Sequence, residues 1–237
     1  MRGVPEARYG IQPNRYAFGL AVFFIRVPAA QSKGEHKMTG RIALRSFTTL
    51  ALVIAAAVPA TSNAVDIRPV FRAGAEFGGD NLTKVSNGDS IHANDGLSIG
   101  GGASILTDSK DIQGEVTLSY KFSSISASNG DIDWSVLPLD ALVFYRLPKF
   151  RLGGGLTYHL SPKLKGGGVA STLNATYKDA LGFVLQADYL FTQRLALGLR
   201  YTNVNYKASS IQTSAFATNP PASAKTNGIG IVFSMSF

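Results

Sequence analysis

Three features of this sequence predict an all-β fold: an eight-stranded antiparallel up-and-down transmembrane β-barrel. The final eleven residues alternate strictly. Asn227, Ile229, Ile231, Phe233, Met235 and Phe237 fall on one side, and Gly228, Gly230, Val232, Ser234 and Ser236 on the other. A strand has a side-chain period of two, so this stretch has one greasy face and one small or polar face. The same alternation recurs eight times from Val65 onward. The connections between these segments alternate between short and long, as expected of a barrel with tight turns at one rim and loops at the other.

Composition agrees with that fold and limits the alternatives. Charged residues make up only 16% of the chain, glycine is abundant and cysteine is absent, so disulfides and thiolate metal sites are excluded. The formal charge of +8 is concentrated at the front. Residues 1–64 hold eight of the 23 Lys and Arg but only Glu6 and Glu35 of the 15 acids, leaving 15 against 13 afterwards, a net of +2. No cluster of basic residues interleaved with aromatics follows, which argues against nucleic acid as a partner.

Residues 38–64 have the layout of a secretory signal peptide. Met38 is a plausible start, Arg41 and Arg45 supply positive charge, and residues 47–58 form a mostly apolar core. Ser62-Asn63-Ala64 then places small residues at the two positions a signal peptidase inspects. The apolar run is shorter than the roughly 20 residues needed to cross a bilayer as a helix. Cleavage is expected after Ala64, which gives a mature barrel of residues 65–237. Residues 1–37 precede a complete signal and are expected to be a non-native upstream extension.

The eight strands are expected near residues 67–77, 95–106, 111–122, 131–146, 149–160, 176–191, 194–207 and 227–237. The fourth is irregular: Ile132, Trp134 and Val136 are even-numbered, whereas Leu139, Ala141, Val143 and Tyr145 are odd. A period of two cannot absorb that change, so a β-bulge is expected around residues 136–138, where Pro138 is tolerated. Short turns are expected at 107–110, 147–148 and 192–193, and long loops at 78–94, 123–130, 161–175 and 208–224. An even strand count puts both mature termini on the short-turn side. Aromatics are expected in two girdles. Phe77, Phe122, Trp134, Tyr158, Tyr177 and Tyr201 would lie near the long loops, and Phe71, Tyr145, Phe150, Tyr189, Phe191 and Phe237 near the short turns.

Parity also assigns an interior. Arg68, Arg72, Glu76, Glu115, Lys121, Asp133, Asp140, Arg146, Arg151, Asp188 and Arg200 are expected in the lumen. An eight-stranded barrel is just wide enough for its own side chains, and lone buried charges are costly, so these residues should pair and plug the lumen. Val70, Leu106, Phe144 and Leu190 interrupt the polar pattern toward the short turns and are expected to seal that mouth.

From Val65 to Phe237 the chain resembles the small eight-stranded bacterial outer-membrane barrels, the OmpA-transmembrane, OmpX and OmpW group. The likeness rests on strand pattern, length, signal peptide and the last strand ending in Phe237. It implies outer-membrane localisation among lipid and lipopolysaccharide, and recognition of that last strand by the barrel-assembly machinery. It further implies a monomer with a structural, adhesion or envelope-integrity role. No peptidoglycan-anchoring domain is expected after the barrel, and the charged lumen argues against an uptake route of the OmpW kind.

Because some barrels of this size modify lipid A, catalytic candidates were weighed: His159 with Ser161, and His92 with Asp89, Ser90 and Asp95. Nucleophilic catalysis needs a nucleophile within hydrogen-bond reach of an oriented base. Parity points His159 into the barrel, and no acid follows it closely. The expectation is therefore no catalytic, cofactor-binding or metal residues and no cofactor, with a lipid A-modifying enzyme as the alternative function and a narrow channel for small or hydrophobic molecules after it. Glycine triplets at 100–102 and 153–155 fall inside strands, where glycine marks close packing, and 166–168 has no helix after it, so none is expected to cradle a phosphate. Asn81-Leu-Thr83 and Asn174-Ala-Thr176 match the glycosylation acceptor pattern, which is common by chance.

Overall fold

The computed structural model describes residues 66–85, 88–127 and 130–237. The leader, its cleavage point after Ala64 and the upstream extension lie outside them. Twelve strands follow in order: β1 (Asp66–Gly78), β2 (Asn81–Lys84), β3 (Ser90–His92), β4 (Gly96–Leu106), β5 (Ile112–Ala127), β6 (Gly130–Arg146), β7 (Phe150–Gly166), β8 (Asn174–Tyr177), β9 (Ala180–Leu190), β10 (Leu195–Gln212), β11 (Ser223–Lys225) and β12 (Gly228–Ser236). A single 3-10 turn, Gly168–Ala170, is the only helical element among the described residues.

Eight of these strands close a ring. β1 pairs antiparallel with β4, β4 with β5, β5 with β6, β6 with β7, β7 with β9, β9 with β10, β10 with β12, and β12 with β1. The barrel therefore has no free edge, and every wall strand is hydrogen-bonded on both sides. A walk across paired residues from Glu76 passes Gly230, Arg200, Gln186, Gly153, Phe144, Gln113 and Leu106, and returns to β1 at Asp66, ten residues before its start. With a rise of about 3.3 Å per residue and a strand spacing of about 4.8 Å, this stagger tilts eight strands by about 40° and sets a backbone radius of about 8 Å. Such a cylinder holds its own side chains and little else.

The predicted strands are all present, but several run further than expected at the long-loop end. β5 continues to Ala127, β7 to Gly166 and β10 to Gln212. The expected long loop at 123–130 is mostly strand, and β5 and β6 are joined through residues 128–129. The expected sixth strand is broken at Lys178 and Asp179 into β8 and β9, and inward parity flips from odd in β8 to even in β9. The other long loops fold as well: β2 pairs with β3, β11 pairs with β10, and β8 bridges β7 and β10.

The expected β-bulge in β6 is absent. Even-numbered residues face inward along the whole strand: Ile132, Trp134, Val136, Pro138, Asp140, Leu142 and Phe144 are all buried. Pairing with β5 keeps one register from Ile125↔Ile132 through Ile112↔Tyr145. The apolar side changes because the surroundings change. Low on β6 the outward residues Val143 and Tyr145 are apolar and exposed, whereas high on it the outward Asp131 and Asp133 are polar and the inward residues apolar. The irregularity belongs to β7, where Ser135↔Lys163 gives way to Leu137↔Leu160 and Ser161 adopts φ +49°. Buried parity on β7 switches there from odd, at Thr157 and His159, to even, at Pro162 and Leu164.

The outer surface carries an exposed apolar belt, including Leu97, Ile99, Leu118, Val143, Leu152, Leu156, Leu185, Leu199, Ile229 and Ile231. At the short-turn rim Tyr145, Phe150, Tyr189, Phe191 and Phe237 are exposed, as a girdle requires. The other girdle is thinner than expected. Phe77 and Phe122 face outward, but Trp134 and Tyr177 point into the interior and are fully buried.

Candidate functional site: the barrel interior

Eight charged side chains are buried in the lower interior, four acidic and four basic: Glu76, Glu115, Asp140 and Asp188 against Arg72, Lys121, Arg151 and Arg200. They join in one alternating chain. Lys121 Nζ lies 3.3 Å from Glu76, Glu76 lies 3.6 Å from Arg200, and Arg200 lies 2.9 Å from Asp140. Asp140 also holds Arg72 at 3.1 Å, and Arg72 pairs with Glu115. Arg151 donates to Glu115 at 3.0 Å and to Asp188 at 2.5 Å. Each inner member is shared by two opposite charges, so the buried array sums to zero without an isolated ion.

Hydroxyls and amides complete the shell. Thr202 Oγ1 donates to Glu76 at 2.9 Å, Arg151 donates to Ser234 Oγ at 2.7 Å, and Lys121 donates to Asn94 Oδ1 at 2.9 Å. The charged residues come from β1, β5, β6, β7, β9 and β10, so the chain runs across the lumen rather than along one wall. The two remaining wall strands, β4 and β12, present mainly glycine and serine inward, with Leu106 and Val232. Gly230 leaves space for Glu76, since a Cβ there would lie 2.4 Å from Glu76 Cγ. Gly198 does the same for Asp188, with a Cβ falling 1.7 Å from its carboxylate oxygen.

Three expected lumen charges lie outside this ion-pair chain, one of them Arg146, half-buried at the short-turn mouth. Asp133 is odd-numbered on a strand whose even residues face inward, so it is exposed above the belt. Arg68 sits at the short-turn mouth, partly exposed and paired with Asp66. Val70, Leu106, Phe144 and Leu190 are all buried and inward, as expected. They do not form an apolar layer of their own: Val70 and Leu190 share a recess with Gln113, Arg146 and Arg151, and the Phe144 ring lies 4.2 Å beneath the Arg151 guanidinium.

Above the ion pairs the interior turns apolar. Ile132 and Trp134 from β6, Leu164 from β7, and Val204 and Tyr206 from β10 pack with Leu82, Ile91, Leu173 and Tyr177 from the folded loops. Trp134 makes edge contacts with Tyr177 and Tyr206, at 6.0 and 5.7 Å between ring centres. His159 marks the boundary, hydrogen-bonded through Nδ1 to the Tyr206 hydroxyl beneath the apolar core. This core was not foreseen from the sequence, although the even-numbered apolar residues of β6 and the Asn81-Leu82-Thr83-Lys84 alternation were its traces.

The structure separates one catalytic candidate pair and places the other in a turn. His159 is buried inside the wall, while Ser161 lies beyond the bulge with an exposed side chain, its backbone N–H donating to Asp179. His92 bonds Asp95 through both its backbone N–H and ring Nδ1, at 2.8 and 2.9 Å, which closes a turn. Among the described residues no group of three or more acidic, histidine or cysteine side chains is placed to hold a metal ion. The glycines at 100, 102, 153 and 155 serve close packing; a Cβ on Gly153 would collide with Phe144 at 2.4 Å.

No family model matches the chain, and no curated protein matches it. Among solved structures it is similar to Neisserial surface protein A, at 15% identity and a TM-score of 0.43, with 74% of this chain and 100% of that chain covered. It is also similar to Ail, the attachment invasion locus protein of Yersinia pestis, in complex with the heparin analogue sucrose octasulfate. There the identity is 10%, the TM-score 0.45, and the coverage 73% of this chain and 97% of that one.

Proposed function

We propose that this chain is a monomeric, non-catalytic barrel of the bacterial outer membrane, exported by a signal cleaved after Ala64, with a structural or adhesive role and a lumen closed to solutes. One observation carries the proposal: a closed ring turns an apolar belt outward and a charge-neutral, mutually paired set of ions inward. Only a lipid environment makes the outer face favourable, because backbone groups in a bilayer must be satisfied internally and a closed barrel does so. Lipid and lipopolysaccharide would then surround the belt, and the β12 strand ending near Phe237 would be read by the assembly machinery. Above the belt, the folded loops with exposed Val169 and Phe216 form the surface offered to the exterior.

Closure of the lumen is supported by the ion-pair chain and, above it, by the packed core around Trp134. Planar-bilayer recordings test it. Only rare, small current steps are expected; reproducible open currents of porin size would overturn the closed lumen. For adhesion, cells displaying the intact barrel should bind host-surface preparations better than cells whose 208–224 segment is replaced by a short turn, and equal binding would count against that role.

A further inference from the structure

We propose that the short-turn mouth of the barrel holds a binding site for a phosphate-bearing anion, centred on Arg146. The interior ions pair four against four, and Arg146 is the half-buried guanidinium left over: among the described residues neither it nor the exposed Arg194 beside the same recess has a carboxylate partner. Amide oxygens hold it instead. Its Nη1 donates to Gln113 Oε1 at 2.6 Å, and its Nη2 donates to Gln193 Oε1 at 3.0 Å and to the Gln193 carbonyl at 3.4 Å. Amides fix the orientation of a guanidinium without cancelling its charge. Of its five N–H donors these contacts leave two unused.

The surroundings add positive potential. Arg151 and Arg68 both repel Arg146 electrostatically, although Arg151 is matched by two carboxylates and Arg68 by Asp66. Arg146 and Gln193 line two adjoining recesses. The outer one adds Arg68 and Lys110 against a single acid, Asp111. Its remaining wall includes Leu147 and the girdle residue Tyr145, which is exposed to the outside of the barrel. An oriented, uncompensated guanidinium beside a lysine suits a phosphate group, which accepts paired N–H donors. The apolar wall that continues into the girdle suits a phosphate carried on a lipid headgroup of the adjacent leaflet; a free phosphate offers the same oxygen atoms without a tail.

The lipid source rests on the membrane placement proposed above, whereas the phosphate chemistry does not, so two arms separate them. In detergent, the mature chain is titrated with inorganic phosphate and the amide resonances of Gln193 and Arg146 are followed. In nanodiscs of phosphatidylcholine mixed with phosphatidylglycerol, native mass spectrometry counts the lipids retained. Folded wild type should retain phosphatidylglycerol preferentially, and Arg146→Gln should weaken retention about tenfold, the scale of a lost charge-assisted contact. Lys110→Gln, on a turn, should give a smaller loss and keeps the test readable if Arg146→Gln folds poorly; Lys163→Gln, at the opposite rim, should change nothing. A saturable, Arg146-dependent phosphate response without lipid preference supports the site and assigns it to free phosphate. Equal retention of both lipids together with an unsaturable or Arg146-independent phosphate response would overturn it.

Discussion

Along β6 the lower and upper halves of the interior are lined by one strand with one inward parity, yet the residues it turns inward differ. On β6 the inward residues run from Phe144 and Asp140 in the lower half to Val136, Trp134 and Ile132 in the upper half. Outward residues invert in step, from Tyr145 and Val143 to Asp133 and Asp131. Where lipid is the outer solvent, polar groups are driven inside and must find one another there. Where water is the outer solvent, burial of apolar surface drives the fold as in any soluble domain. The two halves thus differ in what fills them, an ion-pair chain with a small apolar cluster around Leu142, Phe144 and Val184 below and a larger apolar core above.

This contrast can be broken at either end. The largest effect is expected for Asp140→Asn, which leaves Arg72 and Arg200 sharing one fewer carboxylate in a buried site. The cost should be about 3–5 kcal/mol, the range for stranding a buried charge, read from urea unfolding in lipid vesicles by heat-modifiable gel migration. Trp134→Ala should cost about 3–5 kcal/mol as well, by removing the largest fully buried side chain of the upper core. Its effect should be local. Amide exchange should accelerate in β2, β3 and β8 while β9 and β12 stay protected, and uniform acceleration would contradict two separately held halves.

A pair of outward substitutions sharpens the solvent argument. Leu185→Arg, in the belt, should destabilise by about 2–4 kcal/mol if it lies near the bilayer midplane. Ser135→Arg, outward on β6 above the belt, should stay within about 0.5 kcal/mol. One effect, absent at neutral pH, concerns titration. Burial pushes the Tyr177 phenol up to about 12 from an ordinary value near 10. The folded state therefore resists ionisation that the unfolded chain accepts, so the stability this residue contributes is intact below pH about 10 and falls as pH rises toward 12. Phenolate absorbance of wild type minus that of Tyr177→Phe should show this late titration, and an ordinary midpoint would count against its burial.

Much of the barrel was legible residue by residue, because a side-chain period of two imposes a strict rule on a wall strand. The termini of β1, β4, β6 and β12 fall within a residue or two of expectation, and eight of the eleven expected lumen charges are buried and paired. The misreadings share one cause. The shift from even to odd apolar positions on the fourth strand reads as a backbone bulge in the sequence, although β6 keeps one register and one inward parity throughout. Trp134 and Tyr177 were assigned to a lipid-facing girdle by height alone, and the loop residues Leu82 and Ile91 carry too few apolar positions in a row to announce a core. The bulge on β7, at Ser161, sits between Leu160 and Pro162, just beyond the end of the expected alternation.

The sequence by itself determined the number of wall strands, which residues of each belt segment turn outward, and the sign of every charge turned inward. A period of two and a single kind of solvent are enough for that, since both act locally. Tertiary structure alone decided the ten-residue stagger of the ring, which carboxylate bridges which guanidinium, the packing of separate loops into one upper core, and the surplus that leaves Arg146 without an acid. Those outcomes depend on distances between residues more than 100 positions apart, such as Glu76 and Arg200 or the paired Val70 and Ser236, and only closing the ring fixes such distances.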